Sequence, residues 1–150
     1  MLGDEITVDI LMLADGAQVA GDKLYVLGGG WSFIRAKALP ASHSLSVAVG
    51  IHVGWMQTNR KHHFRIEVRD DEHDRGIAHV EGEFEQGRPA GHPEGQPLRV
   101  LMALPMTPQF EVAGHYALRA IIDGEEKART PFMVFDQSQR RGGTSTQRDA

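Results

Sequence analysis

Three observations predict an all-β fold. Apolar residues recur at period two, glycine and proline punctuate the chain closely, and no helical period is sustained for three turns. The final pair of strands is the clearest. Tyr116, Leu118, Ala120 and Ile122 alternate after Gly114, the spacing that places side chains on one face of a strand. Asp123-Gly124 then tolerates the positive φ of a tight reversal, and Thr130 to Phe135 forms the return. The Gly-x-Tyr entry suits a tyrosine corner, in which the phenol bonds backbone just upstream. The expected architecture is an immunoglobulin-like antiparallel β-sandwich of about seven to nine strands. A jelly-roll or C2-like sandwich is the alternative, with the same strand count and a different connection order. Residues 1–135 form one domain in this reading, and residues 136–150 are a polar tail, disordered in isolation.

The 150 residues suffice for an independent core. The 17 glycines and 7 prolines favour short strands joined by turns. A net charge of -4 lacks the basic excess that drives non-specific nucleic-acid binding. With no cysteine, disulfide and thiolate chemistry are excluded. Asp4 and Glu5 stand where a signal peptide carries Lys or Arg, and no run approaches the about 20 apolar residues of a membrane span. A soluble, cytoplasmic protein is expected, with no nucleic-acid or membrane partner.

Taken in order, Ile6, Val8, Ile10 and Met12 begin a strand that becomes apolar on both faces and closes at Asp15-Gly16. Gly21-Asp22 turns into Lys23 to Leu27, and Gly28-Gly29-Gly30 marks a bulge or a switch between sheets before Trp31 to Ile34. Leu45, Val47, Val49, Ile51 and Val53 give a half-buried strand. Its other face, Ser44, Ser46, Ala48, Gly50 and His52, is small and weakly polar. In the next hairpin charge sets the register. Arg65 faces Glu81, His63 faces Glu83 and Lys61 faces Glu85, on a solvated face, with Asp70 opposite Gly76. Gly87 to Pro97 carries three glycines and three prolines and is a loop. Leu98 to Leu104 resumes the alternation until Pro105.

Chemistry is hard to find in this pattern. Gly28-Gly29-Gly30 precedes a β-like segment and lacks the helix that a phosphate loop requires, so a backbone kink is favoured. His62 and His63 are adjacent and face opposite sides of a strand. A metal-dependent enzyme would have to use His63, His73 and His79, but no HExxH or comparable ligand spacing exists, and solvated histidines are favoured. The acidic turn Asp70 to Gly76 lacks the oxygen spacing of a calcium loop. Glu81, Glu83 and Glu85 lie about 7 Å apart in succession, yet their basic partners keep them all ionised, without a general acid. No catalytic residue, metal site or cofactor is therefore assigned. Trp55 follows Gly54 at a strand end. With Asn59, Arg60 and the His92 loop it forms a candidate ligand platform, set against simple core filling by the indole.

Four segments carry a resemblance. They are Ala14 to Ala20 leading into Lys23 to Trp31, then Glu81 to Pro89, then Gly114-His115-Tyr116, and Pro131 to Val134. Together they resemble a family of small uncharacterised bacterial proteins of actinobacterial type, over about Val8 to Phe135. The resemblance implies a bacterial origin and an immunoglobulin-like β-sandwich, and it carries over no catalytic residue. The expected function is a non-catalytic binding or assembly module acting through protein–protein contacts, with homodimerisation through the small-residue strand face. A carbohydrate-like small-ligand binder using Trp55, Asn59, Arg60 and His92 is the alternative.

Overall fold

The structure is a computed structural model that describes residues 4–139. It is all-β, with strands β1 (Ile6–Ala20), β2 (Lys23–Gly29), β3 (Phe33–Ala36), β4 (Ala41–Ser42), β5 (Leu45–Val53), β6 (Lys61–Asp70), β7 (Arg75–Glu85), β8 (Leu98–Met106), β9 (Gln109–Phe110), β10 (Gly114–Ile122) and β11 (Glu125–Asp136). A four-stranded sheet has the order β2-β1-β5-β8, and a five-stranded sheet has the order β3-β11-β10-β6-β7. β4 and β9 make a separate short pair.

The alternation read from the sequence builds the core. Val47, Val49, Ile51 and Val53 from the first sheet meet Ile66, Val68, Leu118, Ile122 and Val134 from the second, all nearly or fully buried. Phe110, Tyr116 and Phe132 form an aromatic group at one end, with ring centroids 5.0–6.1 Å apart. The expected tyrosine corner is present. The Tyr116 hydroxyl donates to the Val112 carbonyl at 2.6 Å.

The β6–β7 hairpin adopts the register that its charges dictate, Lys61 opposite Glu85, His63 opposite Glu83 and Arg65 opposite Glu81. A bulge after Val68 shifts the end by one residue, so Asp70 faces Arg75 rather than Gly76. The Asp70 carboxylate explains the departure. It accepts the Glu72 and His73 amides at 3.0 and 3.1 Å and is spent on shaping the turn. Pro105 does not end β8, because β8 is an edge strand and a missing donor on its outer side costs no ladder bond. The glycine triplet is a switch between sheets: β2 lies in the first sheet and β3 in the second.

Two expectations about the first sheet are corrected. Asp15-Gly16 does not close β1, which continues to Ala20 because Ala14 to Ala20 pairs with β2 after its pairing with β5 has ended. The face of β5 expected to be solvated is also covered, since Ser46, Ala48 and Gly50 are buried. Ile10, Met12 and Ala14 flank it on one side, and Leu101, Ala103 and Pro105 on the other. The sheet curls as well. Val19 and Asp22, at the far end of the β1–β2 hairpin, share a cavity with Leu98 to Leu101 of β8. At the C-terminus, β11 runs to Asp136, whose carboxylate accepts the Ser138 amide at 3.0 Å. Most of the tail expected to be disordered, residues 140–150, lies outside the described residues.

Candidate functional site

Two places combine exposed side chains with a defined local architecture. The first is a corner built where β5 passes into β6. Gly54 leads into a single 3-10 turn, Trp55–Gln57, and Thr58 closes it by donating its hydroxyl to the Trp55 carbonyl at 2.6 Å. Asn59 adopts positive φ and its amide donates to the Gln86 carbonyl at 2.8 Å, which ties this turn to the loop after β7. From that loop the Arg88 guanidinium lies 3.9 Å from the Trp55 ring centroid, close enough for a cation–π contact. It also donates to Thr58 Oγ1 at 2.7 Å and to the Trp55 carbonyl at 2.8 Å. His92 stacks on Trp55 with centroids 6.2 Å apart and planes 11° from parallel.

Trp55, Asn59 and His92 are therefore brought to one corner. Arg60 is exposed beside them. Arg88 and Thr58 were missed in the sequence, where Arg88 appeared only as part of a proline-rich loop. A cation four residues before His92 in that loop was the available signal. Arg88 matters because it already occupies the Trp55 ring, and a flat ligand stacking there has to share or displace it.

His62 anchors the base of this corner. It is 4% exposed, with Nδ1 2.7 Å from Asp123 Oδ2 and Nε2 2.7 Å from the Gln57 carbonyl. Each ring nitrogen thus has a carboxylate or carbonyl oxygen within hydrogen-bond distance. The remaining histidines disperse. His63 and His79 both approach Glu81, at 3.3 and 3.8 Å, while His73 Nδ1 bonds Asp70 at 2.9 Å in the hairpin turn. Among the described residues no group of three or more His, Asp or Glu side chains is placed to hold a metal.

Glu67 corrects the picture of an open, solvated charged face. It is 4% exposed. Arg119 Nη1 donates to it at 2.6 Å and Arg65 Nε at 3.1 Å, while Arg69 stands at 3.8 Å. Arg119 continues to Glu126 at 2.5 Å, and Arg129 joins Glu126 to Asp71. The Glu126 and Glu67 carboxylates raise the Arg119 pKa above its ordinary value, against the opposing effect of burial. This chain of ion pairs crosses β6, β10 and β11.

The second place is the far half of the β1–β2 hairpin. Among the described residues, β1 beyond Ala14 has only β2 as a ladder partner, so residues from Asp15 to Leu27 form a two-stranded ribbon. Leu27 is 76% exposed and Tyr25 55%, with Val19 and Val26 also exposed. A ribbon of two strands has little stability of its own in water, and this one shows apolar side chains to solvent along most of its length. On β5, opposite Ile10, Gly50 makes room for an ion pair lying across the strand. A Cβ there would sit 2.8 Å from Arg99 Nη2 and 3.0 Å from Asp9 Oδ1. Burial pushes the Asp9 carboxyl up, but Arg99 and His52 outweigh it and hold the pKa below the usual value.

Curled sheet, aromatic corner and apolar ribbon together describe an all-β protein. Its sequence matches, over residues 9–135, the family described as a family of unknown function (DUF6941), and the chain belongs to that family. No curated protein sequence matches it. Among solved structures it is similar to an alkylpurine DNA glycosylase, AlkC, of Pseudomonas fluorescens, bound to DNA containing an abasic site analog. That match has 12% identity and a TM-score of 0.45, over 89% of this chain and 31% of the glycosylase. It is also similar to a beta-glucosidase of Listeria innocua in complex with glucose, at 12% identity and a TM-score of 0.39, over 87% of this chain and 16% of the glucosidase. The chain thus spans about a third of the first protein and about a sixth of the second.

Proposed function

We propose that this chain is a non-catalytic binding or assembly module of immunoglobulin-like build, working through protein–protein contacts in the bacterial cytoplasm and forming a homodimer. The strand order favours the immunoglobulin-like assignment: β1, β5 and β8 are neighbours in one sheet, and β6, β10 and β11 in the other. The observation that carries the functional reading is the exposure of Val19, Tyr25, Val26 and Leu27 together on one ribbon. Tyr25 and Leu27 lie on one face of the ribbon and Val19 and Val26 on the other, and exposed apolar surface of this kind marks interaction sites on soluble proteins. The contact surface differs from the one expected from sequence, because Ser46, Ala48 and Gly50 are already buried. Light scattering on the purified full chain is expected to give twice the monomer mass at high micromolar concentration. A monomer throughout would count against the assembly reading.

The convergence of Trp55, Asn59 and His92 favours a second reading, a small-ligand binder of carbohydrate-like specificity that also uses Arg60. Trp55→Ala is expected to abolish a ligand-induced change in tryptophan fluorescence while Trp31 still reports a folded core. Retention of the full response in that variant would remove the platform.

A further inference from the structure

Building on the protein-contact reading, we propose that the outer edge of β8 is a strand-addition site, at which an extended basic segment of a partner protein pairs with the backbone of Arg99 and Leu101.

A cavity of about 420 Å³ lies against Leu98, Arg99, Val100 and Leu101 of β8. Consecutive side chains of a strand point to opposite faces, so a cavity that touches all of them meets the strand along its backbone edge. β5 occupies the inner edge, which leaves the outer one. Val19 and Asp22 from the β1–β2 hairpin, and Gln86 and Pro89 from the segment after β7, supply the walls of this slot.

Pro105 decides which backbone groups face outward. It has no N–H and is opposite Ser46, so the two form a non-hydrogen-bonded pair and the proline nitrogen turns to the outer edge. The register of β5 with β8 holds without a shift from Leu45–Met106 to Val53–Leu98. Every second residue back from Pro105 therefore turns its N–H and C=O outward, and these include Leu101 and Arg99 at the slot. Among the described residues no second strand pairs with β8, and no turn or loop backbone bonds to either residue. Unpaired donors and acceptors at the period of a strand are complementary to another extended chain.

The charges set the chemistry of that chain. The Arg99 guanidinium is drawn across β5 onto both oxygens of Asp9, at 2.7 and 2.6 Å. It neither guards the edge nor leaves an uncountered cation in the slot. Asp22 is exposed on the wall and takes part in no ion pair among the described residues. A Lys or Arg of the added strand answers it, while apolar side chains of that strand meet Val19, Val100 and Leu101.

Hydrogen exchange of the full chain, read by amide NMR, tests the site with the end-capped pentapeptide Val-Lys-Val-Lys-Val. Without peptide, the Arg99 and Leu101 amides are expected to exchange faster than those of Val100 and Met102, which face β5. At millimolar peptide, exchange at Arg99 and Leu101 should slow about ten-fold. The same peptide N-methylated at its amides, equal in charge, should protect neither. Asp22→Asn, which suits the positive φ at this position, should weaken binding about three-fold. No protection at Arg99 and Leu101, or equal protection by the methylated peptide, overturns the site, and unchanged affinity in Asp22→Asn overturns the basic partner. Protection of both amides without peptide, fading on dilution, puts a second copy in the slot and overturns the partner segment. A dimer in light scattering whose amides ignore the peptide removes this edge and leaves the assembly reading standing. A monomer whose two amides respond to peptide keeps the edge and removes the homodimer.

Discussion

Asp123 does several jobs in the reversal between β10 and β11. It takes the positive φ the turn requires, at 52°. Its carboxylate accepts the His63 amide at 2.9 Å and the His62 ring at 2.7 Å. Burial pushes its pKa up, but those bonds outweigh burial and hold it below the usual carboxylate value. A folded-state pKa below the unfolded one means the unfolded chain binds more protons in acid. The stabilisation is therefore complete above about pH 4 and is lost as pH falls through the folded-state value. Urea unfolding of Asp123→Asn between pH 3 and pH 7 should show a shallower acid limb than the parent chain. The difference at neutral pH should be about 0.5 kcal/mol, reduced by solvent because Asp123 is half exposed. An unchanged acid limb would show that the turn bonds do not favour the ionised form. Asp123-Gly124 was legible in the sequence as a turn. His62 as its anchor was not, because its partners lie 61 and 5 residues away.

At the scale of the element, the β6–β7 hairpin shows how far charge pattern can set register. Opposed basic and acidic residues located Lys61, His63 and Arg65 against their partners correctly. The same pattern hid the fate of Glu67. Alternation assigns it to the outer face, and it is there, but Arg119 from β10 and Arg65 and Arg69 from its own strand close over it. Removing one member of a buried ion cluster leaves the others desolvated without a counter-charge. Glu67→Ala should therefore destabilise the fold by about 2 kcal/mol in urea, more than Glu81→Ala at the exposed edge of the same face. Equal costs for the two variants would mean that the cluster is solvated. Arg119→Met together with Glu67→Leu should recover part of the loss, because burying an apolar pair costs less than burying an unpaired charge.

For the whole molecule, the decisive feature is the curl of the four-stranded sheet. It buries the small-residue face of β5 that had looked open to a partner, and it brings the far end of the β1–β2 ribbon, at Val19 and Asp22, to Leu98 to Leu101 of β8 while Tyr25 and Leu27 stay exposed. If the ribbon joins two copies, folding is linked to association, and the thermal midpoint should rise with protein concentration. Differential scanning fluorimetry over a hundred-fold concentration range measures this directly, and a constant midpoint would oppose the homodimer.

By itself the sequence determined the all-β class, the tyrosine corner, the final hairpin and the charged register of β6 with β7. Each of these depends on alternation, turn chemistry or pairing between adjacent segments, which are local properties. Only the tertiary structure decided that β1 continues past Gly16, that the outer face of β5 is covered, and that Arg88 from a distant loop rests on Trp55. Those outcomes depend on which strands become neighbours and how strongly the sheet curls, and these arise from contacts between residues far apart in the chain.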